Sequence, residues 1–307
     1  MAAKQIPLHL KTITEYHHML GLPKPEHPLV SLTRFEDIPY NPEQPLKAIV
    51  MNFYSIALKK TFHARLKYGQ QEVDFDEGVM LFMAPAQVLA IDGPRETVDG
   101  HKGWLLLIHP DLLWGTELLK KIRRYEFFDY KTNEALHLSD IEQQLIIRIM
   151  QDIRQEYTAR IDHLSQDVIV AQLELLLTYA ERFYQRQFIT RKAGNYQVLH
   201  KMEALVNSYF EESDLHLKGM PPVKYFADAL HLSPGYLSRL LKSLTGQSTK
   251  QFITNKIIEL AKEKLSTTNL TMNEIAYMLG FEHPQSFGKL FKMQTRMSPL
   301  EFRQSFG

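Results

Sequence analysis

The chain has 307 residues, 44% hydrophobic and 23% charged, a globular composition long enough for two domains. It contains no cysteine, which excludes disulfides, thiol catalysis and cysteine-ligated zinc. The net charge of +1 argues neither for nor against a nucleic-acid partner, so that question rests on where the charges sit.

Residues 1 to about 110 read as β structure. "NFYSIALKK", "TFHARLKYG", "EVDFDEGVMLFMAP" and "AQVLAI" are short alternating or apolar runs broken by Gly, Pro and Asp. Their regular turns predict a sandwich or small barrel. "HKGWLLLIHPDLL" adds one buried strand ending at Pro110. The longest wholly apolar runs, "VMLFMA" and "WLLLI", are too short to span a bilayer, and the first 20 residues lack an unbroken apolar core. A cytoplasmic protein with no membrane partner is expected. His17 and His18 read as neighbours on a strand, pointing opposite ways, with His63, His101 and His109 in the barrel. No His-x-His pair occurs, so neither a metal site nor a cofactor is expected. Tyr54, Phe62, Tyr68 and Trp104 could line a pocket, but core packing is the simpler role for each, and no ligand-binding residue is assigned.

From about residue 139 the apolar period becomes helical. Ser139 and Glu142 stand at capping-box spacing, and Ile141, Leu145, Ile149 and Ile153 form a stripe. The next helix carries Ile169, Leu173, Leu176, Ala180 and Phe183, widened by Leu175 and Leu177. So broad a stripe fits either a dimer helix or a helix packed wholly on its own barrel. Arg182, Arg186, Arg191 and Lys192 read as a solvated helix end in preference to a DNA-backbone contact. The polar stretch "ITRKAGNYQ" (189–197) then separates expected domains 1–190 and 196–307. Residues 196–307 hold 13 Lys and Arg against 10 Asp and Glu, a charge of +3, and residues 1–195 hold the other 23 against 25, a charge of −2.

Beyond that boundary the chain is helical, and one unit occurs twice. "FADALHLSPGYLSRLLKSLTGQSTKQFI" aligns with "IAYMLGFEHPQSFGKLFKMQTRMSPLEFR", with one extra residue in the second turn. Phe226-Ala227 matches Ile275-Ala276, Leu230 matches Leu279 and Leu232 matches Phe281. After the turn, Leu237 matches Phe287, Arg239 matches Lys289, Leu241 matches Phe291 and Lys242 matches Lys292. Each copy reads as a helix, a tight turn and a second helix, the small Ala permitting close approach. Gly280 suits a left-handed cap, and Pro284 suits the first turn of the helix it opens. Ser248 with Gln251, and Ser298 with Glu301, cap the helices that follow.

Each second helix keeps one outward polar row. Leu237, Leu240, Leu241 and Leu244 face inward, leaving Gly235, Ser238, Arg239 and Lys242. Phe287, Leu290 and Phe291 do the same for Gln285, Ser286, Gly288, Lys289 and Lys292. An Arg can bond guanine bidentately, a Gln matches adenine N6 and N7, and lysines suit guanine or phosphate. A linking helix of about 17 residues spans roughly 25 Å and sets the two second helices roughly 34 Å apart, one turn of duplex DNA. The expected DNA-binding residues are therefore Gly235, Ser238, Arg239, Lys242, Gln285, Ser286, Lys289 and Lys292, with Arg296 beside the cap Ser298. No catalytic residue is assigned.

The duplication, with "IAYMLGF", "SFGKLFK" and "SPLEFR", resembles the C-terminal domain of the AraC/XylS family of bacterial transcription regulators over residues 196–307. Arg296 departs from the family's usual Gly, which the first copy keeps as Gly246. The N-terminal strands resemble, more loosely, the cupin-type barrel with which many members sense a small ligand. "FFDYKTNEALHLSDIEQQL" resembles the joint between such a barrel and its helices. The resemblance implies an α+β protein, with an N-terminal cupin-like β-barrel, linker or dimer helices, and a C-terminal all-α domain with two helix-turn-helix units. It implies a sequence-specific transcription regulator and not an enzyme: an activator acting as a homodimer, with double-stranded DNA, a small-molecule effector and RNA polymerase as partners. The alternatives are a ligand-independent dimeric regulator, and a cupin enzyme whose helical tail serves assembly; the latter needs an acid/base or metal cluster that the sequence does not show.

Overall fold

The chain divides into two compact units, residues 1–187 and 188–307. The structure, a computed structural model, describes residues 7–39, 48–61, 78–89, 102–131, 134–159, 162–190, 192–211 and 219–305. Phe62, His63, Tyr68, His101 and Arg191 lie outside the described residues.

The first unit opens with β1 (Leu8–Leu10), α1 (Ile13–Leu20), β2 (Val30–Arg34), β3 (Ile49–Met51) and β4 (Tyr54–Thr61). Then come β5 (Gly78–Met83), β6 (Val88–Leu89), β7 (Lys102–Ile108), the short helix α2 (Leu118–Lys121) and β8 (Leu136–Leu138). Strands β2-β7-β4-β5-β8 form one sheet and β1-β3-β6 another. Register explains the larger sheet. Leu32, Leu106, Ile56 and Phe82 stand in one row, and Thr33, Leu105, Ala57 and Leu81 in the next, on the opposite face. Phe82 packs on Phe127 at 4.5 Å, and its face also receives Tyr184. Ala57, Leu105 and Leu107, from the other face, share a core with Ile13 and Leu20 of α1 and with Ile49 and Met51 of the small sheet. A sheet covered on both faces carries consecutive buried apolar residues, as Ile56, Ala57 and Leu58 do in β4 and Leu105, Leu106 and Leu107 in β7.

Among the described residues two open sheets stand where a closed barrel is expected. Alternation fixes which face of a strand is buried, but closure depends on ladder bonds between edge strands, which no period encodes. Residues 13–20 are helical and not extended, so His17 and His18 lie on α1. Thr12 and Glu15 cap that helix reciprocally, and Gly21 closes it at φ 72. His17 is buried, with Nδ1 2.6 Å from the Pro23 carbonyl and Nε2 2.8 Å from Ser31 Oγ. A carbonyl only accepts, so the proton is assigned to Nδ1.

Helix α3 (Asp140–Thr158) starts at the Ser139–Glu142 capping box and buries Gln143, Ile146, Ile149, Met150, Ile153 and Tyr157. Ile141, placed on the stripe from sequence, is 79% exposed. Helix α4 (Ser165–Thr190) buries all five stripe residues and Leu177 as well, leaving Val168 and Leu175 exposed. Arg186 is not a solvated end: its guanidinium donates to the His137 carbonyl at 2.7 Å and to Glu142 at 2.8 Å. The adjacent Gln187 is buried and trades hydrogen bonds with the backbone at His137 and Ala135. These bonds tie α4 to the edge strand β8.

The second unit holds the last residues of α4, then α5 (Lys192–Glu211), α6 (Val223–Ala229), α7 (Pro234–Thr245), α8 (Thr249–Thr267), α9 (Met272–Met278), α10 (Pro284–Thr295) and α11 (Pro299–Gln304). They share one core, in which Met202, Phe226, Leu237, Ile257, Ile275 and Phe291 are all buried.

Candidate nucleic-acid interface

The two helix pairs, α6–α7 and α9–α10, are built by the same local rules. Ala227 and Ala276 are fully buried. The turn N–H of Leu232 donates to the Ala227 carbonyl at 2.8 Å, and Phe281 repeats this bond to Ala276 at 3.0 Å. The residue before it is left-handed in each copy, His231 at φ 58 and Gly280 at φ 79. The two second helices also end alike, Gly246 at φ 75 and Arg296 at φ 65, each N–H returning to a lysine carbonyl four residues earlier. Each copy thus carries one glycine and one side chain at its two left-handed positions. Gly280 has a further reason to be glycine, since a Cβ there would lie 2.9 Å from the Gly219 carbonyl. The sequence flagged Arg296 but not His231; its alignment with Gly280 was the available signal.

Packing fixes which side of each second helix faces out. Leu237, Leu240 and Leu241 bury one side of α7, and Phe287 and Phe291 bury one side of α10. On α10, Gln285, Ser286, Lys289 and Lys292 are exposed, and Arg296 is exposed at its end. Residues 285, 289, 292 and 296 are spaced four, three and four apart, one continuous stripe of a helix with an amide at its start and three cations behind. Of the expected residues on α7, Lys242 is exposed, while Gly235, Ser238 and Arg239 are half-buried. The structure therefore brings together the expected residues of the second copy on one open face and leaves those of the first partly covered.

The elements around the stripe hold it in place. Ser298 and Glu301 cap α11 reciprocally, and hydrogen bonds from Ser298 hold the Glu301 carboxyl below its ordinary pKa, with Lys292 adding to the effect. Arg303 Nε donates to the Leu265 carbonyl at 3.2 Å, closing the last turn of α8, while Phe302 packs on Phe291 at 5.4 Å. The Phe-Arg pair of the motif thus joins α8 to α10, a role the sequence did not reveal. Helix α8 has 19 residues, about 28 Å at 1.5 Å per residue. Tyr54, a pocket candidate, is buried against Phe128 at 5.1 Å and packs as core. Among the described residues no helix is long and apolar enough to cross a membrane.

A family described as a helix-turn-helix domain matches residues 226–305. An uncharacterised HTH-type transcriptional regulator of Bacillus subtilis, YfiF, is 27% identical over 194 residues, 62% of this chain and 57% of that protein. A second, YisR, is 36% identical over 89 residues, 29% of this chain and 31% of that protein. The C-terminal domain of the two-component response regulator yesN from Fusobacterium nucleatum is 31% identical, covering 33% of this chain and 96% of that one at a TM-score of 0.29. The chain thus spans little more than half the length of the first relative and under a third of the second.

Proposed function

We propose, from the premise that the C-terminal domain of this chain is a helix-turn-helix domain of the AraC type, that the protein is a sequence-specific, DNA-binding regulator of transcription. The observation that carries this reading is the exposed stripe Gln285, Lys289, Lys292 and Arg296 on a helix whose opposite side buries Phe287 and Phe291. An amide near the helix start suits a base edge, and cations further along suit phosphates. In this reading residues 196–307 are the DNA-reading domain. Residues 1–190 sense a small molecule in a cupin-like fold, and the regulator activates transcription as a homodimer in contact with RNA polymerase. The apolar side chains of Val168 and Leu175, left outward on α4, support the dimer.

Selection of duplexes from a random-sequence library by the full-length protein tests the reading. Enrichment of one motif, bound more weakly as salt rises because counterions are released, is expected. Recovery of unenriched library at every salt concentration overturns it. Sedimentation that shows only monomer at high concentration removes the dimer.

A further inference from the structure

At the first turn of α7 one residue is covered where its twin in the second copy is open. Under the internal alignment Tyr236 occupies the position of Ser286, an exposed residue of the second reading face. Tyr236 is half-buried and packs in part against the second unit's core. Its ring stands edge-on to Phe188 at 5.0 Å, with 61° between the planes. Phe188 is itself buried and lies in the last turn of α4. Its carbonyl accepts a hydrogen bond from the buried amide of Asn195 at 2.7 Å, which pins the joint between α4 and α5. Gln187, the preceding residue, is bound to the first unit's edge strand through the hydrogen bonds described above.

We propose that Phe188 and Tyr236 form an autoinhibitory latch, in which the end of α4 covers the DNA-facing first turn of the first reading helix. The proposal rests on the DNA-reading assignment above and adds an order to it. The open second helix engages first, and the first helix engages only when Tyr236 leaves Phe188. An edge-to-face aromatic pair of this kind is worth a factor of about two to ten in an equilibrium. Such a latch slows full engagement without abolishing it. Its position also gives any rearrangement of β8 a covalent route to the first reading helix, through Gln187 and Phe188.

The chain's lack of cysteine makes the test direct. In full-length protein, Phe188→Cys with Tyr236→Cys can be joined by a short bis-maleimide, and a duplex selected from the random library footprinted with and without the link. The linked protein is expected to protect one major-groove segment and the unlinked protein two, one turn apart. Tyr236→Ser, which copies the second copy's residue and leaves Phe188 in place, is expected to bind about two- to tenfold more tightly. Two protected segments with the link in place, or unchanged affinity of Tyr236→Ser, overturn the latch. Binding of no duplex by any form, wild type included, overturns the DNA-reading assignment instead.

Discussion

Arg296 is a long, charged side chain at φ 65, where the twin position holds glycine. That conformation costs a side-chain-bearing residue about 1–2 kcal/mol. Arg296→Gly is expected to raise the melting temperature of the second unit, the gain reduced by glycine's greater unfolded entropy. Its DNA affinity is expected to fall, since the guanidinium ends the cationic stripe; a lower melting temperature, or unchanged affinity in a salt series, contradicts the respective half. Thr249 opens α8 with its hydroxyl buried and, among the described residues, without a hydrogen-bond partner. Its twin is Pro299, and Ser248 already has the extended backbone that precedes proline, at φ −68 and ψ 159. Thr249→Pro removes an unsatisfied group and stiffens the unfolded chain, for about 1–2 kcal/mol of added stability; an unchanged or lower denaturation midpoint contradicts this. Burial pulls the Lys59 amine down to about 8. The unfolded amine titrates near 10.4, so the folded chain binds fewer protons between those values and stability rises with pH across that window. Lys59→Met is therefore expected to stabilise the protein at pH 7, the advantage fading as pH climbs towards about 10. An advantage that grows across that window refutes the assignment.

At the scale of elements, the second helices of the two pairs differ in exposure, and under the proposed function they are expected to differ in what they contribute to binding. Lys292→Ala, late in α10, is expected to weaken binding to all sequences alike and to lower the salt slope by about one. Arg239→Ala is expected to cost roughly 1–3 kcal/mol on the preferred site and to relax preference at one base position. Equal behaviour of the two variants across a sequence series rejects the division. The same helices show what a sequence makes legible. Capping boxes at Ser139, Ser248 and Ser298, and the turns at Gly280 and Gly246, were readable because a cap is a local bond between residues at fixed spacing. Helix α1 was not, because its buried side of Ile13, Tyr16, His17 and Leu20 includes a histidine. Counted as polar, His17 breaks the period; its hydrogen bonds to Pro23 and Ser31 are what let it be buried. Ile141 misled for the opposite reason: it is apolar and in phase, yet it stands on the open side of the first turn, 79% exposed.

At the scale of the whole molecule, the duplication was legible and the architecture of the first unit was not. The repeat survives as matched cores, Leu237 with Phe287 and Leu241 with Phe291, and folding preserves that match because both copies bury the same side. The first unit's two sheets turn on which edges pair, and the aromatic contact between Phe188 and Tyr236 joins residues 48 positions apart; both are tertiary and leave no period. Under the proposed function one chain carries two DNA-reading helices set one turn of the duplex apart by α8. Hydroxyl-radical footprinting of the full-length protein at saturation, on a duplex it selects from a random library, tests this most directly. Two protected major-groove segments one helical turn apart on the same face are expected. Protection of a single segment at saturation would contradict it.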